Sequence, residues 1–249
     1  MPPIMTPLAS HLEPSSMAST ASRVILVEPP ESTVLWYCHA GAGASASWAR
    51  HEYDLGGTSV PVSGGSCWCP RFITRLAPRS GAGGFYHFYS ATEYGVIEFN
   101  SPAGGPPEFS TVPMRKVPVA HPAGQVVAMA SMYGLDIGGE LHTVSVLHRH
   151  DDVNSVVDIK LYKMDFERQE PVRVDSIGDR AVLAGSSVHF GGWCPATDFG
   201  LLPNTVYWMS RGDKRLHVFD IRTGKKEVRE VGKGVAAPSR QPFWMIPEH

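Results

Sequence analysis

Across residues 139–223, short β-branched and aromatic runs alternate with Gly, Asp and Asn, and no helix-length amphipathic segment interrupts them. The runs are Glu140-Leu-His-Thr-Val-Ser-Val-Leu-His148, Ile159-Lys-Leu-Tyr-Lys-Met-Asp-Phe166, Asn204-Thr-Val-Tyr-Trp-Met209 and Leu216-His-Val-Phe-Asp-Ile-Arg-Thr223. Between the second and third, the Asp179-Arg180 turn precedes Ala181-Val-Leu-Ala184. Val157, Ile159 and Leu161 alternate with Asp158, Lys160 and Tyr162, the period-two pattern of a half-buried strand. Ala196-Thr-Asp-Phe199 predicts one helical turn. After Thr223 charged residues dominate as far as Lys233, and residues 234–242 form a loop. The final Phe243-Trp-Met-Ile246 is apolar enough to dock on the body of the protein.

Upstream the same grammar holds. Val24-Ile-Leu-Val27 and Thr33-Val-Leu-Trp-Tyr-Cys38 are strand-like runs separated by the breaker Glu28-Pro-Pro-Glu31. In the strand predicted over 48–55, Trp48, Arg50, Glu52 and Asp54 share one parity, and His51, Tyr53 and Leu55 share the other. A strand is also expected over Cys67–Leu76. Gly83-Gly-Phe-Tyr-His-Phe-Tyr89 and Gly95-Val-Ile-Glu-Phe99 predict a hairpin. Phe109–Met114 follows a Pro/Gly-rich loop, and Gln125–Met132, short and flanked by glycines, predicts a strand rather than a helix turn.

The hairpin around Tyr86 resembles the one around Tyr207, 121 positions later, a distance that fits three units of about 40 residues. Repeats of that size suit propeller blades, which hide strand edges by radial repetition. A β-sandwich is the structural alternative.

Composition adds boundaries. With 249 residues there is room for one large domain or two small ones, and 21 Pro and 25 Gly favour turns over long helices. A net charge of −2 gives no general attraction to nucleic acid or an acidic membrane. The four cysteines, Cys38, Cys67, Cys69 and Cys194, are irregularly spaced and form no secreted disulfide framework, so a reducing cytoplasmic or nuclear compartment is expected. No run approaches the roughly 20 apolar residues of a membrane helix. Residues 1–22 lack Lys, Arg and an apolar core, which makes them a poor signal peptide and predicts a disordered leader. The small and hydroxylated residues from Met17 leave an organelle transit peptide as the other reading.

Six motifs, in order, carry a family resemblance. They are Gly139-Glu-Leu-His-Thr-Val, Tyr162-Lys-Met-Asp165, Ser176-Ile-Gly-Asp-Arg-Ala181, Asn204-Thr-Val-Tyr207, His217-Val-Phe-Asp220 and Pro242-Phe-Trp-Met-Ile-Pro247. Together they resemble the plant family carrying domain of unknown function 295 (DUF295), the KIB-type β-propellers that commonly follow an F-box. The match is specific over 84–247 and weak before it. The resemblance implies an all-β chain, a β-propeller of four-stranded blades over 23–249. It also implies a non-enzymatic interaction domain like the substrate-recognition part of F-box/DUF295 proteins, with a protein partner and neither nucleic acid nor membrane. No F-box is recognisable in the Pro/Ser-rich residues 1–22, so the chain is expected to be a partial or N-terminally truncated propeller. Adaptor binding is not carried over.

Candidate chemistry is sparse. His148-Arg-His150 followed by Asp151-Asp152 is the most metal-like cluster, because i and i+2 share a strand face, but spacing marks no third ligand. Cys67-Trp-Cys69 is too tight for a zinc knuckle, and Gly41-Ala-Gly-Ala-Ser45 lacks the Lys-Ser/Thr of a phosphate loop. Asp175, Asp179 and Arg180 fit a structural turn better than a catalytic pair: Asp179 would cap turn amides and Arg180 would pair with a carboxylate. Trp36, Trp48, Trp68, Trp193, Trp208 and Trp244 suit sugar stacking if exposed, and packing between sheets otherwise. No residue is assigned a catalytic, cofactor-binding or metal-binding role. A carbohydrate-binding or metal-dependent enzyme on the same scaffold is the alternative function.

Overall fold

Antiparallel hairpins make most of the strand contacts, as a turn-rich sequence without long helices requires. The computed structural model describes residues 16–20, 23–28, 32–39, 47–62, 65–74, 76–79, 83–99, 105–118, 127–149, 155–185, 191–209 and 215–230, without the side chains of 16–19, 58–62, 65–70 and 127–129. The chain divides into two units, 1–114 and 115–249.

In the first unit, β1 (Ser16–Ser19), β2 (Arg23–Val27), β3 (Val34–His39) and β4 (Ala49–Glu52) form one antiparallel meander. β1 lies inside the stretch expected to be a disordered leader. A hairpin of β5 (Gly57–Val62) and β6 (Gly65–Pro70) follows. The predicted strand over 67–76 therefore ends at Pro70, and residues 71–74 and 76 are not strand. A second meander comprises β7 (Ala77–Arg79), β8 (Gly84–Ser90), β9 (Glu93–Glu98) and β10 (Glu108–Pro113).

The core of this unit joins Ile25, Val27, Leu35 and Tyr37 of the first meander to Phe85, Ile97 and Phe99. Alternation decides which face turns inward: Tyr53 is buried while Arg50, Glu52 and Asp54 are exposed, as the parity of that run predicts. Arg23 is buried among these apolar groups with both terminal guanidinium nitrogens bonded, although its Nε has no partner among the described residues. Nη1 reaches Gly83 O at 2.9 Å, Nη2 reaches Phe99 O at 3.4 Å, and the guanidinium lies 4.8 Å from the Phe99 ring centre.

His87 and Gly95 face each other across β8 and β9. A Cβ on Gly95 would overlap the His87 imidazole, so the glycine is required for close approach. Burial pushes the His87 pKa from 6.5 down to about 4, keeping the ring neutral.

In the second unit, β11 (Val127–Ile137), β12 (Glu140–Arg149), β13 (Val156–Asp165) and β14 (Glu170–Arg173) make a third meander. Eight successive residues of β12 are buried, so both of its faces are covered. The predicted alternation in β13 holds for Ile159 and Leu161. It fails at Val157, which is half-buried, and at Tyr162, which is buried and donates its hydroxyl to Pro118 O at 3.0 Å.

The fourth sheet holds β15 (Arg180–Gly185), β16 (Gly191–Pro195), β17 (Thr205–Met209), β18 (Arg215–Asp220) and β19 (Lys226–Glu230), in the order β16-β15-β17-β18-β19. It therefore departs from the expected blade in having five strands. β15 and β17 run parallel, linked through β16 and the predicted helical turn, a 3-10 turn at Thr197–Phe199. Val182, Ala184, Val206, Trp208 and Phe219 point to a core shared with Leu135, Val144, Val146, Ile159 and Leu161 of the third sheet. Their neighbours Ala181, Leu183, Tyr207 and Val218 point the other way into a smaller cluster with Cys194 and Ala196. The sheet is thus apolar on both faces.

Tyr86 and Tyr207 lie on strands of the second and fourth sheets, so their spacing corresponds to two units of about 60 residues, not three of about 40. Residues 139–223 span the third and fourth sheets, the two blades that the hydrophobic pattern marks best.

Two outcomes are expected. Gly95→Ala should lower the urea-unfolding free energy by about 1–3 kcal/mol, as overpacking does, and an added His87→Ser should recover part of the loss. A denatured chain protonates His87 near 6.5 and the folded chain near 4, so the unfolded state binds more protons between those values. Stability should fall by about 3 kcal/mol on this account as pH drops through that window, then level off. Urea titrations across the window should give a shallower slope for His87→Gln, and an unchanged slope would refute the assignment.

Candidate functional site

Three of the motifs meet at one end of the fourth sheet. Asn204, just before β17, adopts a left-handed conformation with φ 56°, which Asn tolerates better than most residues. Its Oδ1 accepts from Ile177 N at 2.8 Å, its own N donates to Arg180 O at 2.8 Å, and its carbonyl accepts from Ile221 N at 3.1 Å. Its Nδ2 donates to Asp175 O at 3.4 Å. One side chain and its peptide groups therefore hold the loop before β15, the start of β17 and the end of β18 together.

The expected roles of Asp179 and Arg180 are corrected here. Arg180 pairs with no carboxylate among the described residues: Nη1 donates to Ile177 O at 3.2 Å and the guanidinium lies 5.0 Å from the Trp193 ring centre. The Asp179 carboxylate accepts from the Thr197 hydroxyl at 2.6 Å, and its carbonyl accepts from Ala196 N at 3.2 Å, which anchors the crossover rather than capping its own turn. Asp175 forms an exposed ion pair with Arg173 at 3.2 Å. These carboxylates are held apart in separate structural contacts.

A cavity of about 510 Å³ opens beside this junction, lined among others by Ser176, Leu202, Pro203, Asn204, Val218 and Glu227. Asp220, Arg222 and Lys225 of the turn after β18 complete one wall. Asp220 accepts from Thr223 N at 2.8 Å and Arg222 N at 2.9 Å, and the Thr223 amide above all holds its pKa below the ordinary carboxylate value. Thr205 directs its hydroxyl to Pro203 O at 3.0 Å. Among the described residues the lining carries neither imidazole nor thiol, and it presents hydroxyl, carboxylate, ammonium and guanidinium groups. Sequence reading missed Leu202, Arg222 and Lys225 as cavity residues; the Asp-x-Arg-Thr-Gly-Lys turn was the available signal.

The other candidates scatter. His148 is buried on β12, and His150, Asp151 and Asp152 lie outside the described residues. No group of three or more potential metal ligands occurs among the described residues. Cys38 on β3 and Cys194 on β16 are buried free thiols whose pKa values burial raises. Cys67, Cys69 and Trp68 are on β6 with undescribed side chains, and 41–45 and Trp244 are outside the described residues. Trp208 is fully buried and contacts Tyr133 at 5.2 Å between ring centres. Trp36 is half-buried and donates to Glu28 at 2.8 Å. Both rings are packing elements rather than sugar platforms; Trp48 is half-buried ahead of β4.

A family model, the KIB1-4 β-propeller, matches residues 4–230. The chain belongs to the KIB1-4 β-propeller family. Its four larger sheets are accordingly the blades of an all-β propeller, and the match takes in β1 and the rest of residues 4–83, where the motif resemblance was weak. The KIB1-4 match ends at Glu230, the last residue of β19, so the closing Pro242–Pro247 motif lies beyond both the match and the described residues. A search of curated proteins finds no match.

Asn204→Ala should destabilise the protein by about 2–3 kcal/mol, since it removes the acceptor for Ile177 N and keeps the strained backbone. Asn204→Gly, which relieves the backbone, should cost less. Chemical denaturation of both separates the two contributions; equal losses would mean that backbone conformation contributes nothing.

Proposed function

We propose that the protein is a non-enzymatic interaction module, a propeller that holds a protein partner through the loops at its blade ends. This is the role of the substrate-recognition domain in the plant F-box/DUF295 proteins that it resembles. The observation that carries the reading is the open cavity beside Asn204. Asn204 and Asp220 in its lining serve the fold, and its lip exposes Leu202 to 52% of its surface. An exposed leucine beside fixed polar groups supports recognition by contact, with a few apolar anchors supplying most of the affinity. The buried free thiols Cys38 and Cys194 support a reducing cytoplasmic or nuclear setting.

Affinity purification from the native tissue, with crosslinking through a photoreactive residue at position 202 and mass spectrometry, should recover a defined protein set. Metal analysis and glycan binding on the same purified protein test the rival reading. Stoichiometric bound metal, or saturable glycan binding with no protein recovered, would overturn the proposal.

A further inference from the structure

We infer that the cavity beside the turn at 220–225 receives an extended protein segment carrying an acidic side chain next to an apolar one. The inference rests on the interaction reading above and gives it a site and a ligand chemistry.

The charges on the cavity wall are not equally available. Asp220 takes the Arg222 and Thr223 amides, and Glu227 is held by Arg229 through contacts of 2.8 and 3.1 Å. Arg222 and Lys225 influence these acids electrostatically, yet neither side chain donates a hydrogen bond to a described residue. The acids at the wall are hydrogen-bonded within the fold, whereas the two exposed cations donate to no described residue. An incoming carboxylate would replace solvent as their acceptor.

The apolar requirement comes from the opposite lip. Leu202 is the most exposed of the large hydrophobic residues among those described, and Pro203 and the buried Val218 also line the cavity. At Gly178, also in the lining, no described atom beyond its chain neighbours lies within 4 Å of where a Cβ would sit, so the space there is open. A volume of about 510 Å³ holds a few side chains and excludes a folded domain. The occupant is therefore a strand or loop, with the apolar contact giving affinity and the cations giving selection.

Selection from a library of short synthetic peptides on the purified full chain tests this, followed by calorimetry on the selected peptide. Asp or Glu beside Leu, Ile or Phe should be enriched. Combined Arg222→Glu and Lys225→Glu should weaken binding about tenfold or more and shift the enriched charge to Lys or Arg. Leu202→Ser should weaken binding without altering charge preference, and Val172→Ser, an exposed apolar position on β14, should change nothing. All the substituted side chains are exposed, so unchanged denaturation curves will certify the variants. Charge reversal without effect, displacement by inorganic phosphate alone, or failure to select any peptide would overturn the assignment. If no peptide is selected while affinity purification still recovers a defined protein set, the interaction reading stands and the cavity assignment falls. If neither occurs, both fall.

Discussion

The parallel pairing of β15 with β17 is the constraint on which the second unit turns. Antiparallel neighbours close through short turns, but parallel neighbours must be joined by a crossover that returns the chain to the same end of the sheet. Here that crossover carries β16 and the 3-10 turn, and its backbone polar groups need partners where strand pairing stops. Ala196 N donates to Asp179 O and Asn204 N to Arg180 O, the Thr197 hydroxyl ties to the Asp179 carboxylate, and Arg180 is braced against Trp193. The family signature around Ser176–Ala181 thus has a mechanical explanation: it is one half of a clasp whose other half is Asn204. The same clasp sets the wall of the cavity, so recognition and folding share residues at this end of the sheet.

Burial on both faces explains why the third and fourth sheets were legible and why some of their side chains were not. Thr205–Met209 is apolar or β-branched throughout, and Leu141–Leu147 is so except at His142 and Ser145, which marks both as strands. The same continuity removes the alternation that would separate inside from outside. Tyr162 was placed on the polar face for this reason, although it is buried with its hydroxyl satisfied.

The strands that escaped the sequence are short or peripheral. β1, β7, β14, β16 and β19 each lie at the edge of a sheet. Pro78 in β7 and Pro171 in β14 read as breakers, yet an edge strand tolerates proline because one side of its backbone needs no partner in the ladder. β19, Lys226-Glu-Val-Arg-Glu230, is almost wholly exposed, so it offers no hydrophobic signal; its charges protect the sheet edge. The cavity was illegible for a related reason. Leu202 and Lys225 are ordinary surface residues in sequence, and only the crossover brings them to one opening.

The hairpin of β11 and β12 has a kinetic consequence. Its long ladder begins at the tight Gly138-Gly139 turn, where both glycines have positive φ and Asp136 accepts from Gly139 N at 3.0 Å. Closing so short a loop costs little chain entropy, and each further pair then forms beside one already made. The crossover between β15 and β17 has no such zipper, because its strands meet only after the intervening chain has been ordered. Assembly in this unit is therefore expected to run from hairpin to crossover, with the parallel pairing beside the cavity formed late.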